Sequence, residues 1–206
     1  MEHRGDRTRE PGTRRPRRGV AALSAVTSLA AAAATAVAVL APSPPEEPAR
    51  QQAAPVITAT PGTVQEEIVT AARAELGTAE TAKNCHKYSE QCVPWCALFA
   101  MSIWERAGVN VESEEYAFTG DVYTTGQTRG TAYGRAHLDT TRPGDVLLFG
   151  TGPATPDSSP HIGVVEKIRG EKVTLIEGNT GDTPDRVMRK THRLSEATFY
   201  GGVRPW

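Results

Sequence analysis

The residue best suited to covalent chemistry is Cys96, which lies where an apolar helix is predicted to begin. Pro94 fits the first helical position, because the N–H that proline lacks would be unpaired there anyway. A thiol attacks well only as the thiolate, and the free N–H groups and dipole at a helix N-terminus favour that form. The same N–H groups suit an oxyanion. The alternatives are a buried structural cysteine or a disulfide partner of Cys92.

A nucleophilic cysteine needs a general base, and His161 is the best placed of the five histidines. It opens a predicted strand directly after the loop at 151–160, where an imidazole can face a cleft. The other histidines lie in the basic N-terminus, between two cysteines, or in polar sequence predicted to be exposed: His3, His86, His137 and His192.

Two apolar and β-branched runs, at 161–168 and 172–177, predict a β-hairpin. If residues 169–171 form a three-residue loop, the residues on either side of it pair, and successive side chains alternate between the two faces of the sheet. A two-residue turn would shift the register by one residue and turn one strand's side chains to the opposite face.

The three-residue loop gives His161 polar neighbours. It places His161 opposite Asn179 and Gly163 opposite Glu177, so that all four residues share one face. A polar partner would fix the tautomer of the imidazole and stabilise its charged form. Glycine at 163 would leave room for the helix of Cys96. For Glu177 and Asn179, the alternative is a solvated strand end and turn.

The remaining pattern predicts an α+β fold with N-terminal helices packed on an antiparallel sheet. A capping box, Thr63 with Glu66, starts a helix that Gly77 ends. The helix of Cys96 runs to Gly108. Residues 110–141 show no strong period and predict loop with short elements. Further strands are predicted at 145–149, 186–193 and 199–203.

The N-terminal region has the composition of an export signal. Seven arginines against three acidic residues give residues 1–18 a net charge of +4, so the remainder carries −5 within a total of −1. An uncharged, Ala-rich run at 20–41 is either removed with the signal or retained as a membrane anchor. Residues 42–62 predict a disordered linker, and 63–206 the folded domain. A mildly acidic domain gives no electrostatic footprint for nucleic acid.

The three cysteines all follow the predicted signal, and their odd number leaves one thiol unpaired in an oxidising compartment. The spacing of Cys85 and Cys92 suits a short disulfide loop, and Cys92 with Cys96 is the rival pair. The helix position of Cys96 favours leaving it free. No histidine pair has metal-ligand spacing, and a zinc site with His86 would consume the nucleophile, so no metal or other cofactor is predicted.

Four motifs follow one another in the predicted domain: Pro94-Trp95-Cys96-Ala97-Leu98-Phe99, Arg142-Pro143-Gly144-Asp145-Val146, His161-Ile162-Gly163-Val164-Val165 and Ile176-Glu177-Gly178-Asn179. Together they resemble the CHAP family, the cysteine- and histidine-dependent amidohydrolases and peptidases. The resemblance implies a papain-like α+β fold. It also implies cleavage of peptidoglycan, either between muramic acid and L-Ala or within the stem peptide and cross-bridge.

Carried over residue by residue, the resemblance implies Cys96 as nucleophile, His161 as base, and Glu177 and Asn179 as polar partners of the imidazole. It further implies a monomeric exported enzyme of actinobacterial type that acts outside the cell or on the wall, and that contacts the membrane only if residues 20–41 are retained. The residues predicted to bind substrate are Asn84, Tyr88 and Trp95. For Trp95, packing in the core is the alternative.

Two other classes of function stay open from the sequence. A non-catalytic module would hold wall peptides in the same cleft, and its Cys96 would resist alkylation while binding persists. An acyltransferase would pass the acyl group of Cys96 to an amine, and it would form transfer products when an amine is supplied. A disulfide between Cys92 and Cys96 would leave either enzyme inactive until it is reduced.

Overall fold

The part of the chain that the structure describes folds into an antiparallel sheet with helices packed against it. The structure, a computed structural model, describes residues 56–57 and 62–206. The predicted signal or anchor at 1–41, and most of the predicted linker at 42–62, lie outside those residues. The α-helices are α1 (Val64–Ala74), α2 (Cys96–Arg106) and α3 (Thr119–Thr128), with 3₁₀ helices at Ser113–Glu115 and Arg135–Thr140. The strands are β1 (Val56–Ile57), β2 (Ala132–Gly134), β3 (Val146–Phe149), β4 (His161–Arg169), β5 (Lys172–Thr180), β6 (Arg186–Arg193) and β7 (Phe199–Val203).

The sheet has the strand order β2-β7-β3-β4-β5-β6, and each neighbouring pair is antiparallel. The central strands β4 and β5 also contact α2. The predicted α+β class, with helices on an antiparallel sheet, is therefore confirmed. The hairpin β4–β5 lies under the helix that begins with Cys96, and this arrangement brings the candidate nucleophile and base together.

One strand lies inside the segment predicted to be a disordered linker. Val56 pairs with Arg169, and Ile57 pairs with Ile168. On this side of β4, the strand β3 pairs only with residues 161–164, which leaves backbone groups farther along β4 without a neighbouring strand. An unpaired sheet edge binds an extended segment readily, and β1 takes that place. The structure thus has a strand at two residues of the predicted linker, and the extent of the linker stays a prediction.

A local signal explains where α1 begins, and α2 begins two residues later than its proline predicts. The hydroxyl of Thr63 accepts a hydrogen bond from the backbone N–H of Glu66 at 3.4 Å, as the capping box predicts. The second helix begins at Cys96 itself, with Trp95 as its N-cap residue, and not at Pro94. Cys96 is thus the first residue of α2, where backbone N–H groups have no partner within the helix.

The helix α3 occupies part of the segment that was predicted as loop. Its sequence, TGDVYTTGQT, has no apolar period, and glycine and threonine are weak helix formers. Packing holds it instead, because Gly126 allows close contact with β7. A Cβ built on Gly126 would lie 2.6 Å from Cγ1 of Val203. Tertiary contact here overrides a poor local signal.

The two faces of the sheet bury different sets of side chains. One face packs against α2, and its buried residues include Leu148, Ile162, Val164 and Ile176. The opposite face forms a second cluster that includes Leu147, Val165, Leu175 and Phe199. Both sets follow the alternation of side chains along a strand. Each fully buried aliphatic side chain contributes roughly 1.5–3 kcal/mol.

Gly178 sets how closely α2 approaches β5. A Cβ built on Gly178 would lie 2.6 Å from Cβ of Phe99 and 2.8 Å from Cζ3 of Trp95. We expect Gly178→Ala to lower the free energy of unfolding by about 1–3 kcal/mol, because the core has no space for the methyl group. Urea denaturation measures the change. Gly152→Ala is the matched control, since a Cβ there meets nothing within 4 Å. Equal midpoints for the two variants would contradict the prediction.

Candidate active site

The turn between β4 and β5 is shorter than predicted. Arg169 pairs with Lys172, so the turn has two residues, Gly170 and Glu171, and the prediction of a three-residue loop is wrong. Gly170 adopts a φ of 55°, which glycine tolerates at no steric cost. Taken alone, the shorter turn would shift the register by one residue and turn Glu177 away from His161.

A β-bulge in β4 restores the alignment. The register shifts between Val165 and Lys167, so that Val164 pairs with Ile176. One extra residue in a strand reverses the faces of all residues beyond it, and here it cancels the effect of the short turn. His161 and Glu177 therefore lie on one face, as the sequence predicted, through two opposite one-residue shifts.

Gly163 makes room for Glu177 and not for the helix of Cys96. A Cβ built on Gly163 would lie 2.9 Å from Cγ of Glu177 and 3.0 Å from Cδ1 of Leu175. The prediction that this glycine lets α2 approach is therefore wrong. Gly178 has that role, on the opposite face of the sheet, and Gly163 allows the carboxylate to pass beneath β4 toward the imidazole.

The carboxylate of Glu177 holds the imidazole of His161. Oε2 of Glu177 lies 3.0 Å from Nε2 of His161, and Glu177 is 1% exposed. Burial raises the pKa of Glu177, but hydrogen bonds and charge from His161 and His192 outweigh burial and hold the pKa below its usual range. An ionised carboxylate only accepts hydrogen bonds, so Nε2 must be the donor. The nitrogen left to face Cys96 is Nδ1.

The thiol of Cys96 is free and 5% exposed, and it lies close enough to His161 to raise the pKa of that ring. Burial lowers the pKa of His161, but hydrogen bonds and charge from Cys96 and Glu177 raise the pKa to about 9. The ring is therefore charged at neutral pH. A cationic ring therefore lies beside the sulfur at the first residue of α2. The three side chains form a continuous line of sulfur, imidazole and carboxylate.

Asn179, which the sequence predicted as a partner of the imidazole, makes no hydrogen bond to it through Oδ1. Its backbone is left-handed, with a φ of 55°, and the pairing of β5 with β6 is irregular at this position. Its Oδ1 is buried and has no hydrogen-bond partner among the residues that the structure describes. Glu177 accepts the Nε2–H of His161, and a role of Asn179 beside the imidazole stays a prediction.

Two of the three predicted substrate-binding residues are buried in the core. Trp95 is 0% exposed, which contradicts a place in the cleft wall and supports the alternative of core packing. The ring of Tyr88 stacks on Trp95 at 5.5 Å, and its hydroxyl donates to Glu75 at 2.9 Å. The hydroxyl is thus already used within the protein. Both rings support the start of α2 from inside the fold.

Asn84 is half-buried, and its substrate-binding role stays a prediction. Its backbone N–H donates to the carboxylate of Glu80 at 2.7 Å, and its φ is 59°. It lines a cavity of about 500 Å³ together with residues that include Lys83 and Asp185. This cavity offers charges of both signs.

The structure contains the disulfide between Cys85 and Cys92, and Cys96 is free. The rival pair of Cys92 with Cys96 is not formed. The disulfide closes a loop whose residue His86 stacks on Trp95 at 5.2 Å. The closed loop therefore packs against the residue that precedes Cys96.

His192 is part of this site, and the sequence prediction that it is exposed was wrong. Its Nε2 lies 2.6 Å from Oε1 of Glu177, and its side chain is 24% exposed. In the sheet it lies opposite Val173, which shares a face with Glu177. This proximity follows from the pairing of β5 with β6, whose register no local pattern in the sequence indicates.

Within residues 62–206, no three His, Cys, Asp or Glu side chains converge as a metal site. In the same part of the chain, no helix combines the length and hydrophobicity needed to cross a bilayer. The predicted span at 20–41 lies outside the described residues.

Residues 82–179 match the family model of the CHAP domain. The match covers just under half of the chain. The matched segment contains Cys96, His161 and Glu177, and it ends at Asn179. His192 lies beyond it, in the strand that follows.

Two solved structures are similar to part of this chain. The crystal structure of Ly7917 shares 18% sequence identity at a TM-score of 0.44 and covers 69% of this chain. The crystal structure of Ly7917 with the hydrolyzing product of MDP shares 16% identity at a TM-score of 0.42, with the same coverage. In both cases the match spans 63% of the other chain. A search of curated proteins found no match.

Proposed function

We propose that this chain is a CHAP-family enzyme that hydrolyses amide bonds in peptidoglycan, with Cys96 as nucleophile and His161 as acid and base. The observation that carries the proposal is the line of free thiol, charged imidazole and buried carboxylate. Acyl transfer through a covalent intermediate requires a nucleophile, a base and a group that orients the base. The CHAP match supports amidohydrolase or peptidase chemistry, and the choice of peptidoglycan follows the family resemblance.

The first half-reaction forms a thioester. The sulfur of Cys96 attacks the amide carbonyl carbon, and the oxygen becomes an oxyanion that the N–H groups at the start of α2 can stabilise. His161 gives its Nδ1 proton to the nitrogen of the leaving amine as the carbon–nitrogen bond breaks. The amine leaves neutral, the acyl group stays on sulfur, and the imidazole is neutral.

The second half-reaction restores the enzyme. Nδ1 of His161 takes a proton from water while the water oxygen attacks the thioester carbon. The carbon–sulfur bond then breaks, which releases the carboxylic acid and returns the thiolate beside an imidazolium. Glu177 accepts the Nε2–H throughout, so the ring keeps one orientation in both steps.

Activity is expected to fall as pH rises through about 9, the pKa to which Cys96 and Glu177 raise His161. The sign follows from the mechanism, since the proton given to the leaving amine is present below that pKa and lost above it. The measurement is kcat/KM for a purified muropeptide between pH 6 and pH 10.5, with circular dichroism at each pH to verify folding. A profile that stays flat through about pH 9 would contradict the assignment of the acid.

The proposed function is tested by incubating the full-length protein with purified peptidoglycan and analysing the soluble products by mass spectrometry, beside Cys96→Ala. Thiol titration first verifies that Cys96 is free. Fragments formed only by the wild type are expected. A new N-terminal L-Ala would identify an amidase, and a new amine within the stem or cross-bridge would identify an endopeptidase. Unchanged peptidoglycan, after incubation with folded protein whose Cys96 thiol has been verified as free, would overturn the proposal.

A further inference from the structure

Both carboxylate oxygens of Glu177 are held by imidazoles. Oε2 is bound by Nε2 of His161 at 3.0 Å, and Oε1 by Nε2 of His192 at 2.6 Å. The carboxylate lies inside the protein, where it cannot draw hydrogen bonds from bulk water. Its orientation is therefore set by these two rings, of which one belongs to the proposed catalytic line and the other does not.

We propose that His192 is a positioning residue that fixes the carboxylate of Glu177 against His161. A carboxylate held at one oxygen can rotate about its terminal torsion, which is a soft, broad rotation. A second donor on Oε1 removes that freedom and keeps Oε2 in line with the Nε2–H of His161. The structural part of this inference is independent of the reaction, and its effect on turnover rests on the proposed function.

The chemistry of the contact determines the tautomer of His192. Glu177 is ionised and can only accept hydrogen bonds, so Nε2 of His192 must carry a proton. The site therefore requires a hydrogen-bond donor at the position of Nε2 of His192. In place of histidine, glutamine can bring an amide N–H to the same distance from the backbone, whereas the side chain of asparagine is one bond too short.

Aromatic packing holds the ring of His192 in place. Phe149 meets it edge to face, with centroids 5.0 Å apart and planes at 80°, and Phe199 lies 6.1 Å away at 87°. Phe149 also contacts the ring of His161 at 5.2 Å. One phenyl ring therefore lies against both imidazoles, and the two donors to Glu177 are fixed by a shared support.

Three substitutions separate positioning from packing. His192→Gln keeps a donor at the ε position, His192→Asn keeps an amide that is too short, and His192→Phe keeps the aromatic packing without a donor. His137→Ala is the matched control, because His137 is an exposed histidine outside the site. The measurements are kcat and KM on a purified muropeptide, the pKa of His161 by NMR titration, and thermal melting of each full-length variant.

We expect His192→Asn and His192→Phe to lower kcat by about 10- to 100-fold, comparable to losing a group that orients a metal-bound histidine. KM should change by less than about twofold, since no substrate contact is removed. The pKa of His161 should fall from about 9 toward its ordinary value. His192→Gln should retain most of both properties.

Wild-type kcat and an unchanged His161 pKa in His192→Phe would overturn the inference, as would equal losses in His192→Gln and His192→Asn. The NMR titration needs no substrate, so it decides the positioning claim even if peptidoglycan proves not to be cleaved. If only the proposed function fails, the wild-type protein will form no products. The pKa of His161 will still depend on the donor at position 192.

Discussion

Replacing Cys96 with alanine is expected to lower kcat/KM by at least about 10³-fold, because no other group can form the thioester. The change removes one sulfur atom from a side chain that is already buried at the start of α2, so the fold should be kept. The expected result is loss of turnover with retained binding of the muropeptide. Product release by chromatography and binding by calorimetry measure the two properties.

Ser102→Ala is the matched control for this variant. Ser102 is buried in the same helix, and its hydroxyl donates to the carbonyl of Phe99 at 2.8 Å. The substitution Ser102→Ala therefore removes a polar atom from α2 and leaves Cys96, His161 and Glu177 unchanged. We expect kcat/KM to stay within about threefold of the wild type. Turnover by Cys96→Ala at the wild-type rate would show that the nucleophile is a different group.

Replacing Glu177 with glutamine is expected to lower kcat by about 10²- to 10⁴-fold, the range for a catalytic histidine that loses its orienting carboxylate. The amide carries no charge, so the pKa of His161 should fall from about 9. The amide also offers only one acceptor oxygen to two imidazole donors, His161 and His192. One ring must lose its partner or change tautomer. NMR titration of His161 and steady-state kinetics measure both effects.

Glu166→Gln provides the comparison for Glu177→Gln. Glu166 is also buried, and its carboxylate is bound by Arg73 and Arg189, each at 2.7 Å. Both glutamates have a pKa held below the usual range, so both should stabilise the fold above the ordinary carboxyl pKa and lose that contribution as pH falls. Only Glu177→Gln should change kcat and the pKa of His161. An unchanged His161 titration in this variant would contradict the assigned role.

Local patterns in the sequence predicted the elements that carry the site. The helix N-terminus at Cys96 and the hairpin that carries His161 and Glu177 follow from punctuation by proline and glycine and from alternation along strands. The face shared by His161 and Glu177 was predicted from a turn that is not present. It holds because the bulge near Glu166 offsets the shorter turn.

Non-local contacts account for what the sequence analysis missed. His192 reaches Glu177 only through the pairing of β5 with β6 and the packing of Phe149, and neither leaves a local signal. The helix α3 depends on glycine contacts with a strand that lies far along the chain. Trp95 is in the core because the closed loop between Cys85 and Cys92 covers it, which spacing alone did not predict.

The most direct test of the central claim is to trap the thioester on Cys96. The full-length protein is mixed with a purified muropeptide, quenched in acid within milliseconds to seconds, and digested for peptide mapping by mass spectrometry. The account predicts an acyl adduct on the peptide that contains Cys96, which disappears as hydrolysis completes and never forms in Cys96→Ala. An adduct on a different residue, or turnover by Cys96→Ala, would contradict it.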